Sequence, residues 1–329
     1  MTWPHAVAGR SRRAGGALSP AWVPVARVAA LAVLMLDLAC LGGLVPRHVV
    51  RAACRPAPAF TWGAPWRGDT DASKLARGSA GGGSGTPALP KLYVYDHCPF
   101  CTRARMIFGL KGIRYTPVWM ANDDVQTPMA LVGKKIAPIL ELFGDAPMGE
   151  SLDIVRRIDE DPEWGSPLLQ PVSGREDLKA WHKRVSDVMR LLVRPRYPRG
   201  YFPEFAFARS RDAFVRNHAV ADPATGAVPD KAAWRALGPD TWTAWYDAHL
   251  ANTEFLLGEL NKALPELEDL IHSEESVSAG GVGYDDITFF DRLRGATMVK
   301  GLRLGPKAKA YLESMSRRSD IPLLTSLAM

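Results

Sequence analysis

Cysteine is scarce in this sequence. Only four cysteines occur among its 329 residues: Cys40 and Cys54 lie in the amino-terminal part, and Cys98 and Cys101 form a single C-x-x-C motif. This content excludes a small secreted scaffold held together by disulfides, because such scaffolds are dense in cysteine. One C-x-x-C pair also supplies too few ligands for a structural zinc site, so we predict no metal site.

Acidic residues are scarce in the amino-terminal part of the chain. Residues 1–90 contain ten Lys or Arg but only three Asp, whereas residues 91–329 contain 31 basic and 32 acidic residues. The net charge of +6 therefore belongs to the first part and not to the remainder. A nearly neutral body argues against nucleic-acid binding by the folded part of the protein.

Residues 1–90 are predicted to be a leader and flexible linker rather than a domain. Basic residues precede an apolar run at residues 28–45, and a basic, Pro- and Ala-rich stretch and a Gly-rich linker follow it. This arrangement resembles a two-part leader for an algal plastid of secondary origin, with its junction at residues 57–60. The alternatives are a mitochondrial presequence, a membrane anchor formed by the apolar run, and a mispredicted gene start. Membrane contact is expected only through this leader.

A strand-like run leads directly into the C-x-x-C motif. Residues 91–95 are apolar and aromatic after an initial lysine, which suits a pleated surface. After the motif, apolar residues recur at three- and four-residue spacing, which predicts a helix that Gly112 can end. Cys98 therefore lies where a strand ends and a helix begins. Pro99 fits the first helical position, where its missing N–H costs nothing.

This position predicts a reactive Cys98 thiol. Free backbone N–H groups and the positive end of the helix dipole lie at a helix N-terminus, and both stabilise a thiolate. The thiolate is the nucleophile in thiol–disulfide exchange. Cys101 lies one helical turn further on, so we predict that Cys98 is the nucleophile and Cys101 the resolving thiol of a redox-active pair. A buried, unreactive role is the alternative for Cys101.

The remaining patterns predict two folded domains. Residues 91–162 follow the order βαβαββα, and with a C-x-x-C opening the first helix this order is that of a thioredoxin-like α/β domain. The later segments are residues 113–120 (strand), 125–132 (helix), 136–142 (strand) and a helix capped by Ser151. Residues 162–174 are rich in Pro and Gly and predict a linker. Residues 175–329 show only helical repeats, so we predict an all-α carboxyl-terminal domain.

Together the two domains resemble glutathione-transferase architecture, and residues 91–329 are more narrowly similar to the bacterial glutaredoxin 2 family. The matching segments are KLYVYDHCPFC (91–101), ARMIFGLKGI (104–113), NDD (122–124) with the following Thr-Pro, VGKK (132–135), ESLDIV (150–155), DDI (285–287) and LLTS (323–326). The resemblance implies a glutathione-dependent oxidoreductase that reduces protein disulfides or glutathione mixed disulfides. Glutathione would be its co-substrate. The bacterial family has no counterpart of the leader.

The resemblance also implies where glutathione binds. Pro138 should follow a cis peptide bond, so that the backbone of Ala137 can pair with the cysteinyl backbone of glutathione. The N–H and hydroxyl of Ser151 would hold the γ-glutamyl carboxylate at a helix N-terminus, with Glu150 facing its amino group. Lys135 and the lysine before it could meet the glycyl carboxylate. The alternative is that Ser151 only caps its helix and that the lysines are only solvated.

Three positions depart from the family pattern. Phe100 replaces a Tyr between the cysteines, and Gly149 replaces a Pro before the Glu-Ser pair. Gly283 lies where related folds place a Ser or Thr that caps a helix. Asp286 keeps half of that capping box, and a glycine cap costs only a few tenths of a kcal/mol relative to serine. We therefore expect all three departures to be compatible with the fold.

The charged side chains beside the cysteines are interpreted without a catalytic role. As an imidazolium, His97 could help stabilise the Cys98 thiolate, but a loop histidine is mostly neutral at pH 7, so no role is assigned to it. Arg103 and Arg105 are interpreted as helix-surface residues, although they could add positive potential near Cys98. The tryptophans of the second half are assigned to the core: Trp181, Trp234, Trp242 and Trp245.

Other functions remain as alternatives. An isomerase of the same architecture, such as membrane-associated prostaglandin E synthase, also carries C-P-F-C behind an apolar segment, but the carboxyl-end match to the glutaredoxin 2 family argues against it. Dehydroascorbate reduction would use the same thiol. A non-catalytic binding module would have inaccessible thiols. An iron–sulfur cluster shared by two chains is disfavoured by the proline after Cys98.

Overall fold

The computed structural model describes residues 89–329. The predicted leader, its apolar run at residues 28–45 and the junction at residues 57–60 lie outside the described residues. The described part begins with a thioredoxin-like α/β portion and continues into an all-helical portion, as predicted.

The sheet of the first portion has three strands. They are β1 (Lys91–Val94), β2 (Thr116–Trp119) and β3 (Ile139–Glu141). The spatial order is β2-β1-β3, with β2 parallel and β3 antiparallel to the central β1. The fourth strand of the predicted βαβαββα order is reduced to a single bridge between Leu140 and Met148. Pro147 has no N–H to extend the pairing on one side, and Glu150 already turns the chain into the next helix on the other.

Three helices flank this sheet. They are α1 (Pro99–Leu110), α2 (Gln126–Val132) and α3 (Ser151–Glu160). Ser151 was predicted to cap α3, but it is the first helical residue; Glu150 is the N-cap, and its side chain makes no capping hydrogen bond. The chain reaches this helix through a positive φ at Glu150, so the cap position falls one residue earlier than the sequence pattern indicated.

The second portion is helical throughout. Its α-helices are α4 (Glu176–Val193), α5 (Ala208–Asn217), α6 (Lys231–Ala251), α7 (Thr253–Ala263), α8 (Leu267–Leu270), α9 (Tyr284–Ala296) and α10 (Pro306–Ser319). Helix α6 is kinked at Gly238 (φ 83°), directly before Pro239. Within residues 89–329, no helix is both long and apolar enough to cross a membrane.

Helix α1 joins the two portions. It packs against α3 on one side and against α9 and α10 of the helical portion on the other. A Cβ atom at Gly109 would overlap the backbone of Ser319, so the end of α10 can approach this closely only because residue 109 is glycine. The main apolar core runs through both portions, and it includes Trp181. A second cluster in the helical portion contains Trp234, with Trp242 and Trp245 partly buried against it.

Candidate active site

Cys98 lies at the N-terminus of α1, at the edge where the sheet meets the helical portion. It is the N-cap residue, with extended backbone (φ −78°, ψ 122°), and Pro99 is the first helical residue. The Cys98 carbonyl oxygen accepts hydrogen bonds from the Thr102 N–H at 3.0 Å and the Thr102 hydroxyl at 3.2 Å. Among the described residues no side chain caps this helix end, so its free N–H groups and dipole act on the cysteine itself.

The two thiols differ in exposure and acidity. Both are free; Cys98 is partly exposed and Cys101 is buried. A hydrogen bond from the Cys101 thiol lowers the pKa of Cys98 to about 7, burial opposes this effect, and the charge of His97 adds to it. Burial raises the pKa of Cys101 well above its ordinary value, and its hydrogen bond to Cys98 acts in the same direction. At neutral pH, the accessible Cys98 thiol is therefore partly ionised, whereas the buried Cys101 thiol stays protonated.

Backbone contacts hold Cys101 in place. The Tyr95 N–H donates to the Cys101 sulfur at 3.3 Å, which fixes the buried thiol against the start of the loop that follows β1. Because Cys101 is fully buried within the core, an incoming disulfide can reach it only through Cys98. The geometry thus separates an outer sulfur from an inner one.

The Ala137–Pro138 peptide bond is cis, as the resemblance implied. Ile139 pairs with Tyr93 in the antiparallel β1–β3 ladder, so the residues before Ile139 lie beside the end of β1, where the chain enters the cysteine loop. The fold therefore brings Ala137 and Pro138 to the same sheet end as Cys98.

Glu150 and Ser151 lie at the start of α3. Glu150 has a positive φ of 66°, a conformation that costs a non-glycine residue about 1–3 kcal/mol. Its exposed carboxylate accepts a hydrogen bond from Lys134 Nζ at 2.9 Å, and Ser151 is buried. A Cβ atom at Gly149 would overlap Ile136 Cδ1, the end of a flexible side chain, so a larger residue there would require Ile136 to shift.

Lys135 does not extend freely into solvent. Its Nζ donates to the Asn122 carbonyl oxygen at 2.6 Å. Partial burial lowers the pKa of Lys135, although the nearby carboxylates of Asp123 and Asp124 act in the opposite direction. A contact between Lys135 and a glutathione carboxylate would require this hydrogen bond to be exchanged.

His97 is not the solvated loop histidine that the sequence suggested. It is only 7% exposed, and Glu204 of the helical portion is fully buried beside it. The Glu204 Oε1 atom accepts the His97 backbone N–H at 2.8 Å and lies 2.6 Å from His97 Nδ1. This contact joins the residue before Cys98 to a segment 107 positions away.

Arg103 is likewise buried, contrary to the surface role expected for it. Its Nε donates to the Asp291 carboxylate in α9 at 2.5 Å, and its guanidinium lies 4.8 Å from the centre of the Phe100 ring. Burial raises the pKa of Asp291 to about 7 against the opposing effect of Arg103. Phe100, which replaces the family tyrosine, is about half exposed next to Cys98.

Arg105 also departs from the expected surface role. It is buried, and its guanidinium donates to the Asp96 carboxylate at 2.6 Å and to the Tyr115 hydroxyl at 3.3 Å. Alternate faces of α1 thus carry two arginines inward, one toward α9 and one toward the loop before Cys98. Arg103 therefore ties α1 to α9, and Arg105 holds the loop before Cys98.

Comparisons with known proteins agree with this architecture. The family model described as "Glutathione S-transferase, N-terminal domain" matches residues 92–167, and the one described as "Glutaredoxin 2, C terminal domain" matches residues 232–328. The chain is 33% identical to glutaredoxin 2 of Escherichia coli strain K12 over 241 residues, which is 73% of this chain and 100% of that protein. The chain belongs to the glutaredoxin 2 family.

Over its whole length, a solved structure of this family is similar to this chain. Glutaredoxin 2 from Salmonella typhimurium, crystallised in complex with glutathione, aligns with a TM-score of 0.63 and 33% sequence identity. The alignment covers 74% of this chain and 100% of that chain. The thioredoxin-like portion, the helical portion and their order are therefore those of glutaredoxin 2.

Asp286 supports the start of α9, where it supplies the half of the capping box that the sequence predicted. Its carboxylate accepts the Val277 N–H at 2.7 Å, the Gly283 N–H at 2.8 Å and the Tyr311 hydroxyl at 2.9 Å. Burial raises its pKa, and these hydrogen bonds oppose that effect. Within residues 89–329, no group of three or more His, Cys, Asp or Glu side chains is placed to hold a metal ion.

Sequence reasoning missed Glu204 and Asp291 as members of the site. Glu204 follows a proline in a short turn, and Asp291 lies in the middle of α9, so neither has a local motif. The only available signal was an acidic residue inside an otherwise apolar segment, as in Phe202-Pro203-Glu204-Phe205. A buried charge requires a partner, and that partner proves to be a residue beside the C-x-x-C motif.

Proposed function

We propose that this chain reduces disulfides at the expense of glutathione through Cys98 and Cys101. The observation that carries the proposal is the asymmetry of the pair: an accessible thiol with a pKa of about 7 at the start of α1, and a buried protonated thiol one turn behind it. Membership of the glutaredoxin 2 family supports glutathione as the reductant.

In the proposed cycle, the Cys98 thiolate attacks one sulfur of a substrate protein disulfide. A mixed disulfide forms, and the first substrate thiolate leaves and takes up a proton. Cys101 loses its proton and attacks Cys98, which releases the second substrate thiol and forms the Cys98–Cys101 disulfide. Two glutathione molecules then reduce this disulfide and become oxidised glutathione. With a glutathionylated protein, Cys98 alone can take up the glutathionyl group, which a second glutathione removes.

We assign the glutathione pocket to the sheet end that carries Cys98. Ala137 and Pro138 reach this end through the β1–β3 register, and Ser151 opens α3 with free backbone N–H groups. Glu150 would face the glutathione amino group after its pairing with Lys134 opens. Lys135 would contribute only if its hydrogen bond to Asn122 were exchanged.

Glutathione-coupled reduction of hydroxyethyl disulfide by the full chain tests the proposal. We expect turnover by the wild type and none by Cys98→Ser, whereas Cys101→Ser should keep glutathione mixed-disulfide reduction but lose most protein-disulfide reduction. Ser151→Ala should raise the KM for glutathione with little change in kcat, because it removes a binding contact. Full activity of Cys98→Ser would overturn the assignment.

For the leader we propose import into a plastid, on the sequence pattern of residues 1–90 alone. Fusion of these residues to a fluorescent protein tests this in an alga with a secondary plastid. Plastid fluorescence with a shortened fusion protein is the expected result. A mitochondrial signal would indicate the mitochondrial presequence instead, and a full-length product in the carbonate-resistant membrane fraction would indicate the membrane anchor.

A further inference from the structure

A buried carboxyl group from the helical portion lies behind the proposed nucleophile. Glu204 is fully buried in a turn of the helical portion. Its Oε1 atom receives both the backbone N–H and Nδ1 of His97, and its Oε2 atom has no hydrogen-bond partner among the described residues. The His97 Nδ1 atom lies 2.6 Å from Glu204 Oε1, so the ring and the carboxyl group share a hydrogen bond.

The surroundings of the pair are almost entirely aromatic. The ring centres of five side chains lie within 6.2 Å of the His97 ring, and these side chains are Tyr95, Tyr197, Phe202, Phe205 and Phe214. Burial raises the pKa of both tyrosines above the ordinary value, so they are neutral at physiological pH. Other titratable groups near the pair are Cys98, which follows His97, Cys101, on which the charge of Glu204 acts, and His218, which stacks on Phe214 at 4.0 Å.

His218 does not supply a positive charge that could balance the Glu204 carboxylate. Burial lowers the pKa of His218 to about 3, so this histidine is neutral. Among the described residues, His97 is the only basic side chain in ion-pair contact with Glu204. An isolated carboxylate in such an apolar site would be very unfavourable, and a charged imidazole at hydrogen-bond distance offsets that cost.

We propose that Glu204 and His97 form a buried ion pair across the two portions of the fold, and that the His97 imidazolium is a positioning residue that stabilises the Cys98 thiolate. This inference rests on the proposed role of Cys98 as the nucleophile. Glu204 acts through His97: it fixes the loop by accepting the backbone N–H, and its carboxyl group pairs with the ring.

The ion pair has a consequence for the redox equilibrium. Stabilising the thiolate stabilises the reduced enzyme but not the disulfide, so the pair makes the Cys98–Cys101 couple more oxidising. Neutralising the imidazole is expected to raise the pKa of the Cys98 thiol by about 1, the lower end of the usual effect of an adjacent charge. With that shift, the reduction potential at pH 8 would become more negative by roughly 20 mV.

The pH dependence of iodoacetamide alkylation tests the proposal on the full chain. Alkylation of Cys98 is followed by peptide mass spectrometry, with fragment ions separating Cys98 from Cys101 in their shared tryptic peptide. Glu204→Gln keeps an oxygen that accepts both His97 hydrogen bonds but removes the charge. We expect it to raise the Cys98 pKa by about 1, with the same shift for His97→Gln and no further shift in the double variant.

His218→Gln is the matched control, because it alters a buried histidine of the same aromatic cluster that carries no charge. It should leave the Cys98 pKa unchanged even if it destabilises the protein. An unchanged Cys98 pKa in Glu204→Gln would overturn the ion pair, because a purely steric role survives the exchange of carboxylate for amide. Absence of a low-pKa reactive thiol in the wild type would instead refute the proposed function. Glutathione is not needed for this measurement, so the two failures are distinct.

Discussion

The guanidinium group of Arg294 donates to both the carbonyl oxygen and the carboxylate of Asp96, at 2.6 and 2.9 Å. Asp96 lies in the loop that leads into Cys98, whereas Arg294 lies in α9, 198 positions later in the chain. Arg294 is 2% exposed and also donates to the Pro322 carbonyl at 2.8 Å. One buried side chain thus connects the nucleophile loop with the carboxyl-terminal segment, so the position of this loop depends on contacts from both portions of the fold.

Arg294→Met is therefore expected to destabilise the whole described fold. Methionine keeps much of the apolar stem but leaves the Asp96 carboxylate and two carbonyl groups without their donor. Removing one partner of a buried ion pair typically costs about 3–5 kcal/mol, and we expect a loss of this size in the free energy of unfolding. Urea unfolding followed by tryptophan fluorescence measures it.

The exposed ion pair between Arg209 and Asp123 provides the comparison. The Arg209 side chain is 67% exposed, and its Nε lies 2.7 Å from Asp123 Oδ2. Exposed pairs contribute about 0–1 kcal/mol, so Arg209→Met should shift the unfolding midpoint little. Equal effects of the two substitutions would show that Arg294 is not the main connection to the nucleophile loop.

Acid stability should depend on Asp96. Burial opposes ionisation of this carboxyl group, but the Arg294 and Arg105 guanidinium groups outweigh burial and lower its pKa. A pKa that is lower in the folded state contributes stability above the unfolded pKa of about 4, and this contribution is lost as the pH falls further. Asp96→Asn should flatten the fall in unfolding free energy between about pH 5 and pH 3, measured by urea unfolding at each pH. Asn at the exposed Asp240 should leave the profile parallel to that of the wild type.

The local part of the site could be predicted from the sequence. A strand, a turn with Cys98, Pro99 at the first helical position and Cys101 one turn on are all encoded within about a dozen residues, and the structure has this arrangement. Short-range hydrogen bonding and helix geometry determine such a motif almost alone. The cis bond before Pro138 came from family resemblance, because the dipeptide itself favours trans.

The partners of the motif could not be predicted in this way. Glu204 and Asp291 lie 107 and 188 positions from the residues that they contact. Nothing local distinguishes a buried arginine such as Arg103 from an exposed one, since burial is decided by the helix that packs over it. The electrostatic environment of Cys98 therefore depends on how the two portions of the fold pack together.

The Cys101 thiol should control the acidity of Cys98, because its hydrogen bond is the largest contribution to the lowered pKa. Cys101→Ala removes this donor and should raise the Cys98 pKa above 7, whereas Cys101→Ser retains a hydroxyl donor and should raise it less. Iodoacetamide alkylation against pH measures both. If the two variants alkylate with the same pH profile as the wild type, the helix N-terminus and His97 must account for the whole effect.

Gly283 should not tolerate the side chain that related folds carry at this helix cap. A Cβ atom there would lie 2.8 Å from the Gln170 carbonyl oxygen and 3.0 Å from Gln170 Cβ. The Gln170 carbonyl accepts the Tyr284 N–H at 3.1 Å, so it cannot move away without losing that bond. Gly283→Ala is expected to lower the free energy of unfolding by about 1–3 kcal/mol, the usual cost of overpacking.

Gly258→Ala separates this packing effect from the general effect of replacing glycine. Gly258 lies inside α7, and a Cβ atom there would meet no atom within 4 Å. Alanine should stabilise this helix by about 0.5–1 kcal/mol, since it loses less conformational freedom on folding. The two substitutions should therefore have opposite signs in the same urea-unfolding experiment. If Gly283→Ala were also stabilising, the segment around Gln170 would have to move freely. Packing would then not explain why this chain has glycine where related folds have a Ser or Thr cap.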